Sequence, residues 1–196
     1  KAGEIALAHN GVLFFDEFPN FSKTVLESLR EPLEDNKVLI SRVNSKICYE
    51  TKFLFAAAQN PCPCGNLLSQ SHECRCSQLD LNRYKNRISE PIMDRIDMYV
   101  QMGEETSQEK GSSSKEMFTQ VLKAFVAQKE RGQKELNGKM NEQETLYYCI
   151  LDDEATQTLE MAKNRFGLSH RAHQKILKIA RSIADLAGCE KITKEH

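Results

Sequence analysis

The sequence predicts an α/β core followed by an all-α region, and three observations carry that expectation. Two apolar runs without polar alternation, Gly11-Val12-Leu13-Phe14-Phe15 and Phe53-Leu54-Phe55-Ala56-Ala57-Ala58, read as strands of a parallel sheet covered on both faces. Each run ends in side chains with chemistry, Asp16-Glu17 after the first and Gln59-Asn60 before Pro61 after the second. Beyond residue 115 the apolar positions recur at helical spacing, with no strand-like run of conviction. The chain divides accordingly into a partial α/β core over 1–105, a Glu, Ser and Gly-rich linker over 106–115, and a helical domain over 116–196.

The elements follow in order. Pro19-Asn20-Phe21-Ser22 reads as a turn and cap, after which Val25, Leu26, Leu29 and Leu33 mark a short amphipathic helix. Two β-rich runs, Val38 to Val43 and Lys46 to Tyr49, flank Asn44-Ser45 and predict a hairpin. Residues 61–78 form a Pro, Cys and Gly loop, and Leu81 to Ile88 is helical with the basic cluster Arg83, Lys85 and Arg87. From Pro91 to Val100 a short helix is expected to run into another strand. Helical periodicity then covers 115–132, 142–150, 152–166 and 169–187.

Composition narrows the classes of function. A chain of 196 residues with 40% hydrophobic and 28% charged side chains can bury one core, or one core and a small second one. With 27 basic against 28 acidic residues it has no global attraction for nucleic acid or anionic lipid, so any such contact must come from a local patch. No apolar stretch reaches the roughly 18–20 residues that cross a bilayer, and Lys1 does not begin a secretory signal, so the expected location is cytoplasmic with no membrane partner. Seven cysteines, four of them between residues 62 and 76, fit local metal binding better than a secreted disulfide framework.

An apolar strand ending in two adjacent carboxylates is how the acidic (Walker B) strand of a P-loop nucleotide hydrolase reads. At the C-terminal edge of a parallel sheet, where ligands bind, Asp16 would hold Mg²⁺ and Glu17 would orient or deprotonate the water attacking the γ-phosphate of ATP. The plain alternative is a buried strand with two acids at a turn. No G-x-x-x-x-G-K-[ST] loop occurs in the chain, so the expectation is a fragment holding half of an ATP site and inactive alone.

Cys62-x-Cys64 and Cys74-x-Cys76 supply four thiolates for a structural Zn²⁺ site, with His72 a possible replacement ligand; reduced cysteines in a loop, or a redox disulfide, are the alternatives.

The strings GEIALAHNGVLFFDEFPNF, LREPLEDNKVLISR, AAAQNPCPCG, RCS, DRIDMYV and LSHRAHQKILKIARSIADLAG together resemble the magnesium-chelatase-like family of AAA+ ATPases, in the branch that holds the competence proteins. The resemblance covers essentially the whole chain. It implies the C-terminal half of an AAA+ core, with parallel strands and an inserted β-hairpin, followed by an all-α lid, and an ATP-driven hexameric helicase acting on single-stranded or branched DNA. It also implies roles: Asn60 as sensor 1, Arg95 as the arginine finger offered to the next subunit with Arg87 the second candidate, and Arg171 as the lid's sensor 2. The bland readings are an Asn capping a turn, an Arg paired with Asp94 or Asp97, and a solvated Arg on an amphipathic helix. In such a ring the hairpin would project into the pore, where Arg42, Asn44 and Lys46 could hold DNA, although two basic residues on a hairpin also serve to guard an edge. The other readings are a magnesium chelatase subunit that drives Mg²⁺ insertion into a porphyrin, and a non-catalytic regulatory or DNA-binding module.

Overall fold

The computed structural model describes residues 3–42, 45–103 and 111–196, without the side chains of Arg42 and Ser45. Asn44, the Arg42 side chain and half of the expected linker, residues 106–110, therefore lie outside the described residues. The chain forms two compact units, Lys1–Thr106 and Ser107–His196.

In the first unit a single turn α1 (Glu4–Leu7) leads into β1 (Val12–Phe15), which pairs in parallel with β4 (Leu54–Ala57) in the register Val12↔Leu54 to Phe15↔Ala57. Between them run α2 (Lys23–Ser28), α3 (Arg30–Asp35) and the antiparallel hairpin β2 (Lys37–Arg42) with β3 (Ser45–Glu50). The helix expected after Ser22 is interrupted at Leu29. Pro32 has no N–H to bond the Ser28 carbonyl, which breaks the ladder at that turn. Ser22 caps α2 by accepting from the Val25 N–H.

Leu13 and Phe15 of β1 pack with Phe18, Leu26, Leu29, Ile88 and Ile92 into one core, joined by the Phe55 ring. The opposite face of β1 is open: Val12 is 61% exposed, Phe14 60%, and Leu54 beside them on β4 66%. The expectation of a strand covered on both faces fails here, because in this unit the apolar residues of the helices gather on one side of a two-stranded sheet. The strand expected before Val100 is also absent. Tyr99 instead donates from its hydroxyl to the Met93 carbonyl at 2.5 Å, which turns the segment back on α5 (Glu90–Met93). Before it, α4 (Gln78–Lys85) starts at a capping box between Ser77 and Asp80.

The second unit contains α6 (Ser114–Glu130), α7 (Glu142–Tyr148), α8 (Asp153–Phe166) and α9 (His170–Ala187). These are the four helices the periodicity predicts, with an isolated bridge between Leu151 and Ile192 as the β pairing among the described residues. Its core gathers Met140, Cys149, Leu177, Ala180, Ala184 and Ile192. A buried polar network accompanies it. Asp185 receives Arg131 Nη1 and Nη2 at 2.5 and 2.7 Å, Asn137 Nδ2 at 2.8 Å and Arg181 Nε at 3.1 Å. Burial alone would raise the Asp185 carboxyl, but the Arg131 and Asn137 hydrogen bonds and the two guanidinium charges outweigh it and hold the group below its ordinary value.

Candidate nucleotide-hydrolysis site

The parallel pairing of β1 and β4 continues past the strands. The Ala58 N–H donates to the Phe15 carbonyl at 2.8 Å and the Phe18 N–H to the Ala58 carbonyl at 2.9 Å. Asp16 and Glu17 lie between those two bonds, and Asn60 lies two residues beyond Ala58. The register of two short apolar strands thus brings an acid pair and an amide to one sheet edge, from positions more than forty residues apart in the chain.

Glu17 occupies the left-handed region (φ 50°, ψ 46°), which is costly for a residue with a Cβ and turns the chain sharply into the 3₁₀ turn Phe18–Asn20. Its N–H donates to Asp16 Oδ1 at 2.9 Å. Its carboxylate accepts from Asn20 Nδ2 at 2.9 Å, and Asn20 Oδ1 in turn accepts from Arg87 Nη1 at 3.1 Å. Tyr84 on α4 donates to the Asn60 carbonyl at 3.1 Å. Sequence reasoning missed Asn20 and Tyr84. The turn residues at 19–20 were legible, but nothing in them announces that one turn later an amide will face the Glu17 carboxylate.

Arg95 is engaged within the first unit. Its side chain is 13% exposed, Nη1 donates to the Pro91 carbonyl at 2.5 Å, and Nη2 pairs with Glu34. Arg87, the other finger candidate, is exposed and reaches Glu17 through Asn20. Lys46 is exposed on β3 opposite Ser41. Arg171 belongs to the second unit, in the first turn of α9, whose N-cap Ser169 accepts from the Ala172 N–H at 3.1 Å.

The donor set at the sheet edge suits a hard divalent cation and a polarised water: two exposed carboxylates and one exposed amide, with no thiol or imidazole among them. That composition fits Mg²⁺ with a nucleotide phosphate.

Next to this edge the loop after β4 folds the four clustered cysteines together. Cys62 Sγ lies 3.4 Å from Cys64 and 3.7 Å from Cys74, and Cys64 lies 3.6 Å from Cys74. Cys76 completes a set whose sulfurs all lie within 4.8 Å of one another, and all four are free thiols. Backbone N–H groups of Asn66 and Arg75, then the Cys62 thiol, bring Cys64 down to about 6, whereas burial and its sulfur neighbours push Cys76 up to about 12. His72 Nδ1 is engaged with the Ser71 hydroxyl at 2.9 Å, and His72 is not in the cluster.

Comparison with known proteins gives the family. Residues 1–110 match the family model described as magnesium chelatase, subunit ChlI, and residues 111–196 match the model of its C-terminal part. The chain is 40% identical over 202 residues to competence protein ComM of Haemophilus influenzae, covering 100% of this chain and 39% of that protein. It is 39% identical over 202 residues to uncharacterized protein YifB of Salmonella typhimurium and 38% over 200 residues to that of Escherichia coli, in each case covering 99% of this chain and 39% of the relative. The chain thus spans about two fifths of the length of the curated relatives it matches. An acid pair and an asparagine on one parallel-sheet edge, a helical second unit and matches over both units lead to one assignment: the chain belongs to the magnesium-chelatase-like family that includes ComM and YifB.

Proposed function

We propose that this chain carries the hydrolytic half of an ATP site in an oligomeric AAA+ motor that acts on DNA, with ATP and Mg²⁺ as cofactors. The observation that carries the reading is the common edge of β1 and β4, where Asp16, Glu17 and Asn60 converge. Bound Mg²⁺ would neutralise charge on the β- and γ-phosphates. Asp16 would hold the cation, Glu17 would orient the attacking water and accept its proton, and the Asn60 amide would donate to the γ-phosphate or to that water. Asn20 holds the Glu17 carboxylate from the side of Arg87, so the base is fixed before substrate arrives.

Residues 1–105 act in this reading as the core, 106–115 as the linker and 116–196 as the lid, with Arg171 the lid residue that reads the γ-phosphate. Arg95 serves as the finger toward a neighbouring subunit of a hexameric ring. To do so it must exchange Glu34 for phosphate oxygens, which couples ring assembly to the α3 end where Glu34 sits. The hairpin residues Arg42, Asn44 and Lys46 contact single-stranded or branched DNA. Support for a DNA motor comes from the similarity to a competence protein, and a cytoplasmic location belongs with it. Among the described residues no helix is long and apolar enough to cross a membrane.

A specific observation favours a second reading: the family model itself is described by magnesium chelatase. The test uses the full-length protein, assayed for ATP hydrolysis, DNA strand separation and porphyrin metallation. Glu17→Gln is expected to lower kcat for ATP by about 10²-fold or more, with strand separation lost in parallel. Hydrolysis at the wild-type rate in that variant would remove Glu17 as the base, and no hydrolysis by the wild type would revive a non-catalytic module. Metallation without strand separation would assign the chelatase reaction instead.

A further inference from the structure

The four cysteines of the loop after β4 form a second site, independent of the nucleotide reading. We propose that Cys62, Cys64, Cys74 and Cys76 bind one Zn²⁺ in a closed tetrathiolate site that ties the end of β4 to the start of α4. A Zn–S bond of about 2.3 Å at the tetrahedral angle sets thiolate sulfurs about 3.8 Å apart. The three separations of 3.4, 3.6 and 3.7 Å are close to that edge length, and the fourth sulfur stays within 4.8 Å of the others. A multi-iron cluster interposes its own atoms and holds its cysteines farther apart, so the geometry suits a single ion.

The backbone is shaped for the same purpose. Gly65 follows Cys64 at φ 81°, a conformation that a side chain would strain, and its N–H closes a turn on the Cys62 carbonyl at 3.0 Å. That turn folds the first pair back so that both sulfurs face one point. Backbone N–H groups of Asn66 and Arg75 are directed at the Cys64 sulfur, the outer-shell support that a metal thiolate receives. Cys62 is fully buried, and Cys74 and Cys76 are half-buried. With four protein ligands the ion has no open position, so the site is structural.

Its consequence is mechanical. Between Asn60 and Ser77, the N-cap of α4, the loop has three residues of 3₁₀ turn, Asn66–Leu68, and no longer regular element. One ion bonded near both ends fixes α4 against β4, the relation that Tyr84 reports by donating to the Asn60 carbonyl.

The experiment uses the whole 196-residue chain, purified under reducing conditions, stripped of metal, and titrated with Co²⁺ as a spectroscopic substitute for zinc. Expected are tetrahedral d–d bands with sulfur-to-cobalt charge transfer, saturating at one equivalent and bleached by Zn²⁺, and one zinc per chain by elemental analysis of the untreated protein. Cys64→Ser and Cys76→Ser are expected to weaken Co²⁺ binding by about a hundredfold or more. Cys48→Ser and Cys189→Ser, outside the cluster, leave the stoichiometry at one. Circular dichroism of each variant separates lost ligation from lost folding. A reduced, folded chain that gives no thiolate–cobalt spectrum overturns the proposal, as does undiminished binding in both Cys64→Ser and Cys76→Ser. Iron found in the same four-thiolate site overturns the assignment of zinc.

Discussion

Asp185 is the side chain on which the second unit's polar core converges, and its environment gives a signed expectation. Arg181, at 0% exposure, and Arg131 both donate to it, and Arg181 also donates to the Glu190 and Cys189 carbonyls at 2.6 and 2.5 Å. Removing the carboxylate leaves a buried guanidinium without its counter-charge, so Asp185→Ala is expected to cost about 3–5 kcal/mol of unfolding free energy. Because the native pKa lies below the unfolded value of about 3.9, the stabilisation is complete above that value and fades as pH falls through the native pKa. Denaturant titrations at several pH values, followed by circular dichroism, should show wild type losing stability on acidification more steeply than Asp185→Asn. Equal slopes would mean that the group gains nothing from its partners. This network was not legible in the sequence. Arg131, Arg181 and Asp185 look like ordinary surface residues of amphipathic helices, and Asn137 like a residue of the connection between two of them, until folding brings three chain segments together.

At the scale of elements, sequence signals worked where they were local. Helix starts were set by side chains one turn away: Ser113, Asn141, Asp152 and Ser169 each accept from a backbone N–H three residues on. Gly167 ends α8 at φ 59°, and Ser169 opens α9 two residues later. Ser169→Ala is therefore expected to destabilise the helical unit by about 1 kcal/mol, read as a lower melting temperature, while Ser169→Asp restores the cap and the stability. A melting temperature unchanged by the alanine would mean that tertiary packing alone holds the first turn of α9. The hairpin was equally legible, because β-branched and aromatic residues flank a short polar turn. The strand expected near Val100 was misread for a non-local reason. Met98, Tyr99 and Val100 have strand propensity, but a strand also needs a partner, and the Tyr99 hydroxyl found the Met93 carbonyl instead.

For the whole molecule, the two cores are separate clusters, one around Phe15, Phe18 and Leu29 and one around Leu177, Ala184 and Ile192. Of the residues proposed for ATP, Asp16, Glu17 and Asn60 belong to the first unit and Arg171 to the second. Asp16, Glu17 and Asn60 are the residues proposed to hold a cation and a water, yet no G-x-x-x-x-G-K-[ST] segment occurs among the 196 residues to cradle the phosphates. Since a ligand stabilises by an amount set by its concentration relative to Kd, MgATP at about 1 mM is expected to move the melting temperature of this chain by less than about 1 °C. A larger shift that Glu17→Gln or Asp16→Asn alters would show that these residues bind nucleotide without a phosphate loop.

The sequence by itself determined the α/β core and the helical second region, the acid-tipped strand, the asparagine-tipped strand and the cysteine pairs, because strand and helix periodicity, turn chemistry and caps act over a few residues. Tertiary structure alone decided which of these meet. The register of β1 on β4 put Asp16, Glu17 and Asn60 on one edge, the turn at Gly65 helped gather four sulfurs, and packing sent Arg95 to Glu34. Such meetings depend on the sum of many weak apolar contacts rather than on any local signal, which is why Asn20 beside Glu17 and Arg131 beside Asp185 became visible only in three dimensions.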